Sequence, residues 1–290
     1  MDPDDDGSED GFREHVYGAQ DGLRLYFRDY GTRRRSRLPV LCLPGFTRNC
    51  KDFDDLARHL GRERRVLCPD YRGRGRSSHD PNWRNYAPRV ILDDVRHLLA
   101  VANVHHLVVI GTSFGGALAA ALAVVMPSAV RGAIINDMGP ELNRTNLDRM
   151  LKHVGDDTPM PDWPTAVQRL RTALPGLPAF SEEDWLKAAR NTYREVNGQL
   201  RPDWDTAIAR LVPNMVDESV DLWALFRALA RVPILAVRGA KSEILSADAL
   251  DRMAGALPGL IPVTVPEVGH APDLAAKNVQ GKVDGYLAQF

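Results

Sequence analysis

A single serine lies between glycines in the segment HLVVIGTSFGGALAA, residues 106–120. The pattern Gly111-Thr112-Ser113-Phe114-Gly115 follows an apolar run that predicts a strand and precedes an alanine-rich run that predicts a helix. A serine on so sharp a turn needs residues without side chains two positions before and two positions after it. Its hydroxyl is then lifted clear of the sheet, above a helix N-terminus. This spacing predicts that Ser113 is a nucleophile and not part of an ordinary turn.

A histidine near the end of the chain is the candidate base. A serine hydroxyl needs a base to become an effective nucleophile. Seven of the eight histidines lie in predicted strands, helices or polar loops with no motif around them. His270, in VPEVGHAPDL, lies between the last predicted strand and the last predicted helix. That position puts it at the same sheet edge as Ser113, and in the expected order along the chain.

Two acidic residues are candidates for the carboxylate that orients the base and stabilises its cation. Glu243, in RGAKSEILS, follows the predicted strand VPILAVRGA, whereas Asp137, in IINDMGP, ends the strand after the serine's helix. Both therefore lie at carboxyl ends of strands. An acid after the later strand is the commoner plan, so the sequence favours Glu243 and keeps Asp137 as the alternative.

The developing oxyanion of a serine reaction needs two backbone donors. One is expected to be the amide of Phe114, directly after the serine. The other is expected from the loop after the strand PVLCLPG, which points to Phe46, with Gly45 allowing a close approach of the backbone. The alternative interpretation of this loop is an ordinary Pro-Gly turn.

Strands and helices alternate along most of the chain. Apolar runs near residues 40, 66, 107, 130, 234 and 260 predict buried strands, and most are followed by segments with helical spacing of apolar residues. An Asp21-Gly22 pair predicts a hairpin between two further strands near the N-terminus. Near-continuous apolar strands separated by helices predict an α/β fold, with a mostly parallel central sheet covered by helices on both faces.

A long segment interrupts this alternation. Residues 140–230, called the insertion below, hold many prolines, four of the five tryptophans and no strand-like alternation, so short helices are predicted there. We expect a core formed by 14–139 and 231–290, with the insertion as a helical cap over the carboxyl edge of the sheet. Residues 1–13 are acidic and are predicted to be a disordered tail.

Composition excludes several function classes. A formal net charge of −1 does not favour nucleic-acid binding, and the short RGRGR run at 72–76 is better explained as a glycine-containing loop. The longest apolar runs are too short to span a bilayer, and the N-terminus does not follow the plan of a signal peptide. Three cysteines without metal-ligand spacing favour free thiols, so a cytoplasmic location is expected.

Three motifs make the chain resemble lidded enzymes of the α/β-hydrolase fold. GTSFGG resembles the nucleophile elbow of that family, DYRGRGRSS its D-x-R-G-x-G-x-S loop, and VGHAP its histidine loop, and the similarity extends over residues 14–290. LPGFTRN stands where the family places its oxyanion loop, although Pro44 replaces the histidine found in many members. Glu243 departs from the aspartate usual after the later strand, and some members resembling zearalenone lactonase take the acid from the position of Asp137.

The resemblance and the residues together imply a serine hydrolase that cleaves a carboxylic ester or lactone with a hydrophobic acyl or aryl group. No metal and no organic cofactor are expected, and the expected partner is a small-molecule substrate, with a monomer or homodimer as the assembly. A hydrolase of carbon–carbon bonds in diketone-type ring-cleavage products is the alternative enzyme, because the same triad serves it. A ligand sensor with slow turnover is the alternative outside ordinary enzymes.

Overall fold

An eight-stranded sheet organises the molecule in a computed structural model that describes residues 11–31, 36–141, 152–173, 180–211, 213 and 221–290. The strand order is β1-β2-β4-β3-β5-β6-β9-β10. β2 pairs antiparallel with β1 and β4, and every other neighbouring pair is parallel. The predicted α/β fold with a mostly parallel sheet is confirmed.

The strands follow the apolar runs of the sequence. Along β5, Leu107 and Val109 face one hydrophobic core while Val108 and Ile110 face another. All four side chains are fully buried, as expected for a strand that is covered on both faces. The strands of the sheet are β1 Phe12–Gly18, β2 Arg24–Tyr30, β3 Val40–Leu43, β4 Val66–Asp70, β5 Leu107–Thr112, β6 Val130–Asn136, β9 Ile234–Gly239 and β10 Leu260–Val265.

Helices cover both faces of the sheet. On one face the apolar sides of α2 (Pro88–Val101), α3 (Phe114–Val125) and α7 (Ala247–Ala256) contribute to one core cluster. On the other face α1 (Asp54–Gly61) and α8 (Lys277–Leu287) contribute to the second cluster. The connections after β3, β4, β5, β6, β9 and β10 all emerge at one edge, because these strands are parallel.

The insertion contains helices and one hairpin among its described residues. The helices are α4 Trp163–Ala173, α5 Glu182–Thr192 and α6 Leu222–Arg227, and the hairpin joins β7 Tyr193–Val196 to β8 Gln199–Pro202. The expectation of helices alone is wrong here. Asn197 and Gly198 both have positive φ, 52° and 75°, which is the backbone that a two-residue hairpin turn requires.

The ends of the predicted segments differ slightly from the structure. β1 begins at Phe12, two residues before the expected start of the core, because Phe12 pairs with Tyr30 of β2. Residues 1–10 of the predicted tail lie outside the described residues. In the part of the chain that the structure describes, none of the helices has the length and apolar character needed to cross a bilayer.

Candidate active site

Ser113 occupies a strained turn between β5 and α3. Its backbone has φ 54° and ψ −121°, a region that residues with a side chain rarely adopt. The Ser113 N–H donates to the carbonyl of Asn136 at 2.9 Å, which ties the turn to the end of the neighbouring strand β6. The strand–turn–helix context predicted around this serine is the one that the structure has.

The glycines around Ser113 are required by close backbone contacts. A Cβ atom on Gly111 would lie 2.2 Å from the carbonyl oxygen of Gly115, and one on Gly115 would lie 2.0 Å from the carbonyl oxygen of Leu43. Real Cβ atoms do not approach backbone oxygens so closely. The first turn of α3 therefore packs directly on the end of β3, where the candidate oxyanion loop begins.

Asp137 and His270 form a hydrogen-bonded pair at the same sheet edge. His270 Nδ1 lies 2.9 Å from Asp137 Oδ2, and the Asp137 side chain is completely buried. The other carboxylate oxygen accepts the Gly239 N–H at 3.2 Å, and the Asp137 N–H donates to the Val237 carbonyl at 2.7 Å. Asp137 is thus fixed through both its backbone and its carboxylate.

The loop that carries His270 is fastened to the ends of β6 and β9. A Cβ on Gly239 would lie 2.3 Å from the carbonyl oxygen of Gly269, so only glycine lets this loop pass so close to β9. The Asn136 amide donates to the carbonyl of Pro272 at 2.9 Å and to Thr112 Oγ1 at 3.2 Å. Asn136 therefore contacts the histidine loop through its side chain and the serine turn through its backbone.

The structure reverses the sequence-based order of the two acids. Glu243 is exposed, whereas Asp137 is buried against the histidine. The loop of Glu243 is tied down elsewhere, because the buried Arg238 donates to the Leu245 carbonyl at 2.7 Å and the Ser242 hydroxyl accepts from the Leu245 N–H at 3.2 Å. The carboxylate beside His270 in the structure is that of Asp137, so the geometry favours Asp137 over Glu243, the acid that the sequence favours.

The loop after β3 lies against Ser113. A Cβ on Gly45 would be 3.9 Å from the Ser113 Cβ, and the rings of Phe46 and Phe114 meet edge to face with centroids 5.3 Å apart. Within the described residues, neither the Phe46 amide nor the Phe114 amide donates to a backbone carbonyl. Both amides that the sequence singled out therefore flank the serine and have unused donors.

A buried guanidinium holds this loop from behind. Arg74 is completely buried, and its Nε donates to the Phe46 carbonyl at 2.8 Å while Nη1 donates to the Arg72 carbonyl at 2.9 Å. Its guanidinium also lies 5.3 Å from the centre of the Phe46 ring. Burial lowers the pKa of Arg74 to about 10, which still leaves it protonated at neutral pH. Sequence analysis missed this contact.

The insertion docks onto the segment that follows Phe46. Arg48 donates to Thr192 Oγ1, and the Asn49 amide donates to the Asn191 carbonyl at 3.0 Å. Lys51 donates to the carbonyl of Arg190 at 2.9 Å. The last turn of a helix has carbonyls without intrahelical partners, and the end of α5 uses these core side chains to satisfy two of them.

The two other arginines of RGRGR differ in their surroundings. Arg72 is buried and pairs with Asp94 at 2.6 Å, with Asp80 at 2.8 Å and with Asp21 at 2.8 Å. Arg76 is the exposed member of the run. Two of the three arginines are therefore structural, which agrees with the interpretation of this run as a loop of the active-site edge.

Comparison with known proteins supports the same family. Residues 40–279 match the alpha/beta hydrolase family. A 3-hydroxybutyrate-oligomer hydrolase of Cupriavidus necator is 30% identical over 86% of this chain and 87% of its own length. A 2-(acetamidomethylene)succinate hydrolase of Mesorhizobium japonicum is 27% identical over 84% of this chain and 87% of its own.

Among solved structures, an alpha/beta hydrolase from Novosphingobium aromaticivorans superposes with a TM-score of 0.91 at 38% identity. That similarity covers 97% of this chain and 99% of the other. The matched range includes the serine turn, the buried aspartate and the histidine loop. This chain belongs to the alpha/beta hydrolase family, and it is a hydrolase.

Proposed function

We propose that this chain is a serine hydrolase of carboxylic esters, with Ser113 as nucleophile, His270 as base and Asp137 as the acid that orients the base. The observation that carries the proposal is the hydrogen bond of 2.9 Å between His270 and the buried Asp137, at the sheet edge where Ser113 is held at positive φ. A carboxylate at Nδ1 fixes the tautomer in which Nε2 accepts a proton.

The reaction begins when His270 Nε2 takes the Ser113 proton as Oγ attacks the carbonyl carbon. The carbonyl oxygen becomes an oxyanion, which the amides of Phe46 and Phe114 stabilise by donating to it. His270 then gives its proton to the departing alkoxide, and an acyl-enzyme and an alcohol result. Water deprotonated by His270 hydrolyses the acyl-enzyme and restores Ser113. Asp137 stabilises the imidazolium in both halves.

Two features support an apolar group next to the reacting carbonyl. The rings of Phe46 and Phe114 lie beside the serine, and Tyr71 packs edge-on against Phe114 at 6.0 Å between ring centroids. We propose that the insertion acts as a cap over this edge, because its helix α5 is anchored on the segment after Phe46. A short hydrophobic acyl or aryl group fits such surroundings.

The similarity to the Cupriavidus necator protein makes esters of 3-hydroxybutyrate the first substrates to test. The similarity to the Mesorhizobium japonicum protein favours a second candidate, the hydrolysis of compounds resembling 2-(acetamidomethylene)succinate. A lactone, a diketone-type carbon–carbon substrate and a slowly turned-over ligand remain as further test compounds for the same triad.

The test compares wild type with Ser113→Ala on p-nitrophenyl esters from acetate to a long acyl chain, on 3-hydroxybutyrate dimers and on 2-(acetamidomethylene)succinate. We expect sustained ester turnover that falls to background in both Ser113→Ala and His270→Ala, and an acyl adduct on Ser113 in the mass spectrum of wild type quenched with acid during turnover. Ester hydrolysis that is as fast in Ser113→Ala as in wild type would refute the proposal. A few turnovers followed by arrest would favour the sensor.

A further inference from the structure

A pocket lies apart from the serine, where the core meets the insertion. It has a volume of about 600 Å³. Its walls are β2, the loops that follow β3 and β4, and the hairpin of β7 and β8. Ser113, His270 and Asp137 do not line it. Its volume is in the range of pockets that hold small ligands.

Cationic side chains outnumber carboxylates in this pocket. Two carboxylates line it, those of Asp70 and Asp203, against five cations, so the lining has a formal charge of +3 with histidine neutral. The cations are Arg24, Arg28, Lys51, Arg76 and Arg194. This is a local excess in a chain whose net charge is −1.

Three of the five cations have a carboxylate of their own. Arg28 pairs with Asp54 at 3.1 Å, Lys51 pairs with Asp203 at 2.8 Å, and Arg76 pairs with Glu14. Two guanidinium groups remain, those of Arg24 and Arg194.

Arg24 and Arg194 have no carboxylate to themselves. In the described part of the chain the Arg24 side chain makes no ion pair, and it is exposed. Arg194 is also exposed, and its Nε lies 3.8 Å from Asp203, the aspartate that Lys51 already holds more closely. Both guanidinium groups can therefore turn toward a ligand without breaking a close ion pair.

The second carboxylate of the lining is not available to them. Asp70 is buried, and its two oxygens accept the N–H groups of Cys50 at 2.7 Å and Arg76 at 2.8 Å. Burial raises the pKa of Asp70, so its negative charge is disfavoured there. The positive charge that is left for a ligand is therefore that of Arg24 and Arg194.

We propose that this pocket binds an oxyanion group, a carboxylate or a phosphate, between Arg24 of the core and Arg194 of the insertion. The two arginines come from opposite sides of the seam, since Arg24 begins β2 and Arg194 lies on β7. Planar guanidinium forks match carboxylate and phosphate oxygens in pairs. An anion held by both arginines would join the insertion to the core.

The anion has two possible sources, a free phosphate or the acid end of a substrate, and separate titrations distinguish them. Isothermal titration calorimetry with inorganic phosphate, at matched ionic strength in sodium chloride, uses wild type, Arg24→Gln, Arg194→Gln and the double variant. The control is Arg131→Gln. Arg131 is also exposed, but it lies at the start of β6, at the sheet edge opposite to the one where the pocket lies.

The substrate titration uses Ser113→Ala, which prevents turnover, with the 3-hydroxybutyrate dimer and with its methyl ester. Only this part rests on the proposed function. Turnover of p-nitrophenyl esters is measured separately, so a failure of the proposed function is recognised independently of a failure of the anion site.

Binding of phosphate to wild type with one site, weakened by about tenfold or more in the double variant and unchanged in Arg131→Gln, would support a site for a free anion. Tighter binding of the dimer than of its methyl ester, with the difference lost when Arg24 and Arg194 are replaced, would support the substrate's acid as the source. The inference is overturned when phosphate and dimer bind equally to wild type, the double variant and the control, or bind to none of them.

Discussion

Replacing Asp137 by asparagine separates the two candidate acids, because the surroundings of Asp137 allow the amide no good orientation. Its two carboxylate oxygens accept from Gly239 N–H at 3.2 Å and face His270 Nδ1 at 2.9 Å. An asparagine whose oxygen still accepts from Gly239 turns its NH₂ toward His270. The ring must then accept at Nδ1 and carry its proton on Nε2, where it cannot take the proton of Ser113. In the opposite orientation the asparagine NH₂ faces the N–H of Gly239, so that two donors meet and the Gly239 N–H loses its acceptor.

The expected loss in kcat for Asp137→Asn is about 10⁴-fold, the size found when a triad acid is replaced so that the wrong histidine tautomer forms. At about 1.4 kcal/mol per factor of ten, this is about 5 kcal/mol of transition-state stabilisation. Asparagine has nearly the same volume as aspartate, so the core around this buried position is not emptied. KM is expected to change little, because Asp137 contacts the histidine and not the substrate.

The assay is steady-state hydrolysis of p-nitrophenyl acetate or butyrate, with thermal unfolding of each variant to verify its fold. Glu243→Gln is the matched control, because Glu243 is exposed, and its kcat is expected to stay within about twofold of wild type, as for other surface substitutions. A kcat for Asp137→Asn within tenfold of wild type, together with a large loss in Glu243→Gln, would refute the assignment of the acid.

Three further predictions follow from buried contacts. Gly115→Ala is expected to lower kcat by about 100-fold or more, because its Cβ would lie 2.0 Å from a carbonyl at the end of β3 and must displace the proposed oxyanion loop; steady-state ester hydrolysis by the purified variant measures this. Arg74→Gln is expected to lower kcat by about tenfold to 100-fold with little change in KM, since the Phe46 carbonyl loses its donor. His153 lies in the insertion, where its ring packs on that of Trp204 with centroids 5.6 Å apart. Burial lowers the pKa of His153, so the unfolded chain binds this proton at a higher pH than the folded chain, and the free energy of unfolding falls as pH decreases below about 6.5. Chemical denaturation at pH 7 and pH 5 measures this, and the free energy of unfolding is expected to fall less between the two pH values in His153→Gln than in wild type.

Each of these has a control or a contrary outcome. Gly285→Ala leaves its Cβ in open space within α8, so unchanged activity there shows that alanine as such is tolerated. Arg74→Gln is also expected to lower the free energy of unfolding by about 1–3 kcal/mol, because the buried carbonyls of Phe46 and Arg72 lose their donor. An Arg74→Gln variant with a reduced free energy of unfolding but an unchanged kcat would contradict the role of Arg74 in positioning the Phe46 loop. An equal pH dependence in wild type and His153→Gln would contradict the third prediction.

Local spacing was enough to predict the serine turn. Small residues are required on both sides of Ser113 because of contacts within a few residues of it and with one neighbouring strand. A short segment of sequence is therefore enough to recognise the turn. The alternation of apolar strands and helices predicted the sheet for a similar reason, since burial on both faces demands continuous apolar runs.

The acid could not be predicted in the same way. Asp137 and Glu243 both follow strands, and the choice between them depends on where distant loops are fastened. The buried Arg238 holds the Glu243 loop, and the absence of a side chain at Gly239 admits the histidine loop above Asp137. Neither contact leaves a periodic pattern or a local motif in the sequence from which the choice of acid could be predicted.

Two other features had different reasons for being missed. The Asn197-Gly198 pair is a strong hairpin signal, but the flanking strands have only four residues each and the first of them directly follows a helix, so the alternation is too short to stand out. Arg74 lies in an alternating Arg-Gly run that resembles an exposed basic loop. Three aromatic rings surround it, and two of them, those of Phe46 and Tyr86, come from other segments of the chain.

The fastening of α5 to the segment after Phe46 has a consequence for protein engineering. Because Arg48, Asn49 and Lys51 donate to the end of α5, an insertion grafted from another hydrolase would leave these donors without acceptors and free the backbone around Phe46, which we propose stabilises the oxyanion. A chimaera made to change substrate choice would then lose rate on every substrate alike. A chimaera that retains residues 187–203 of this chain and exchanges only the rest of the insertion keeps these contacts. Its substrate selectivity can then be changed without a loss of turnover.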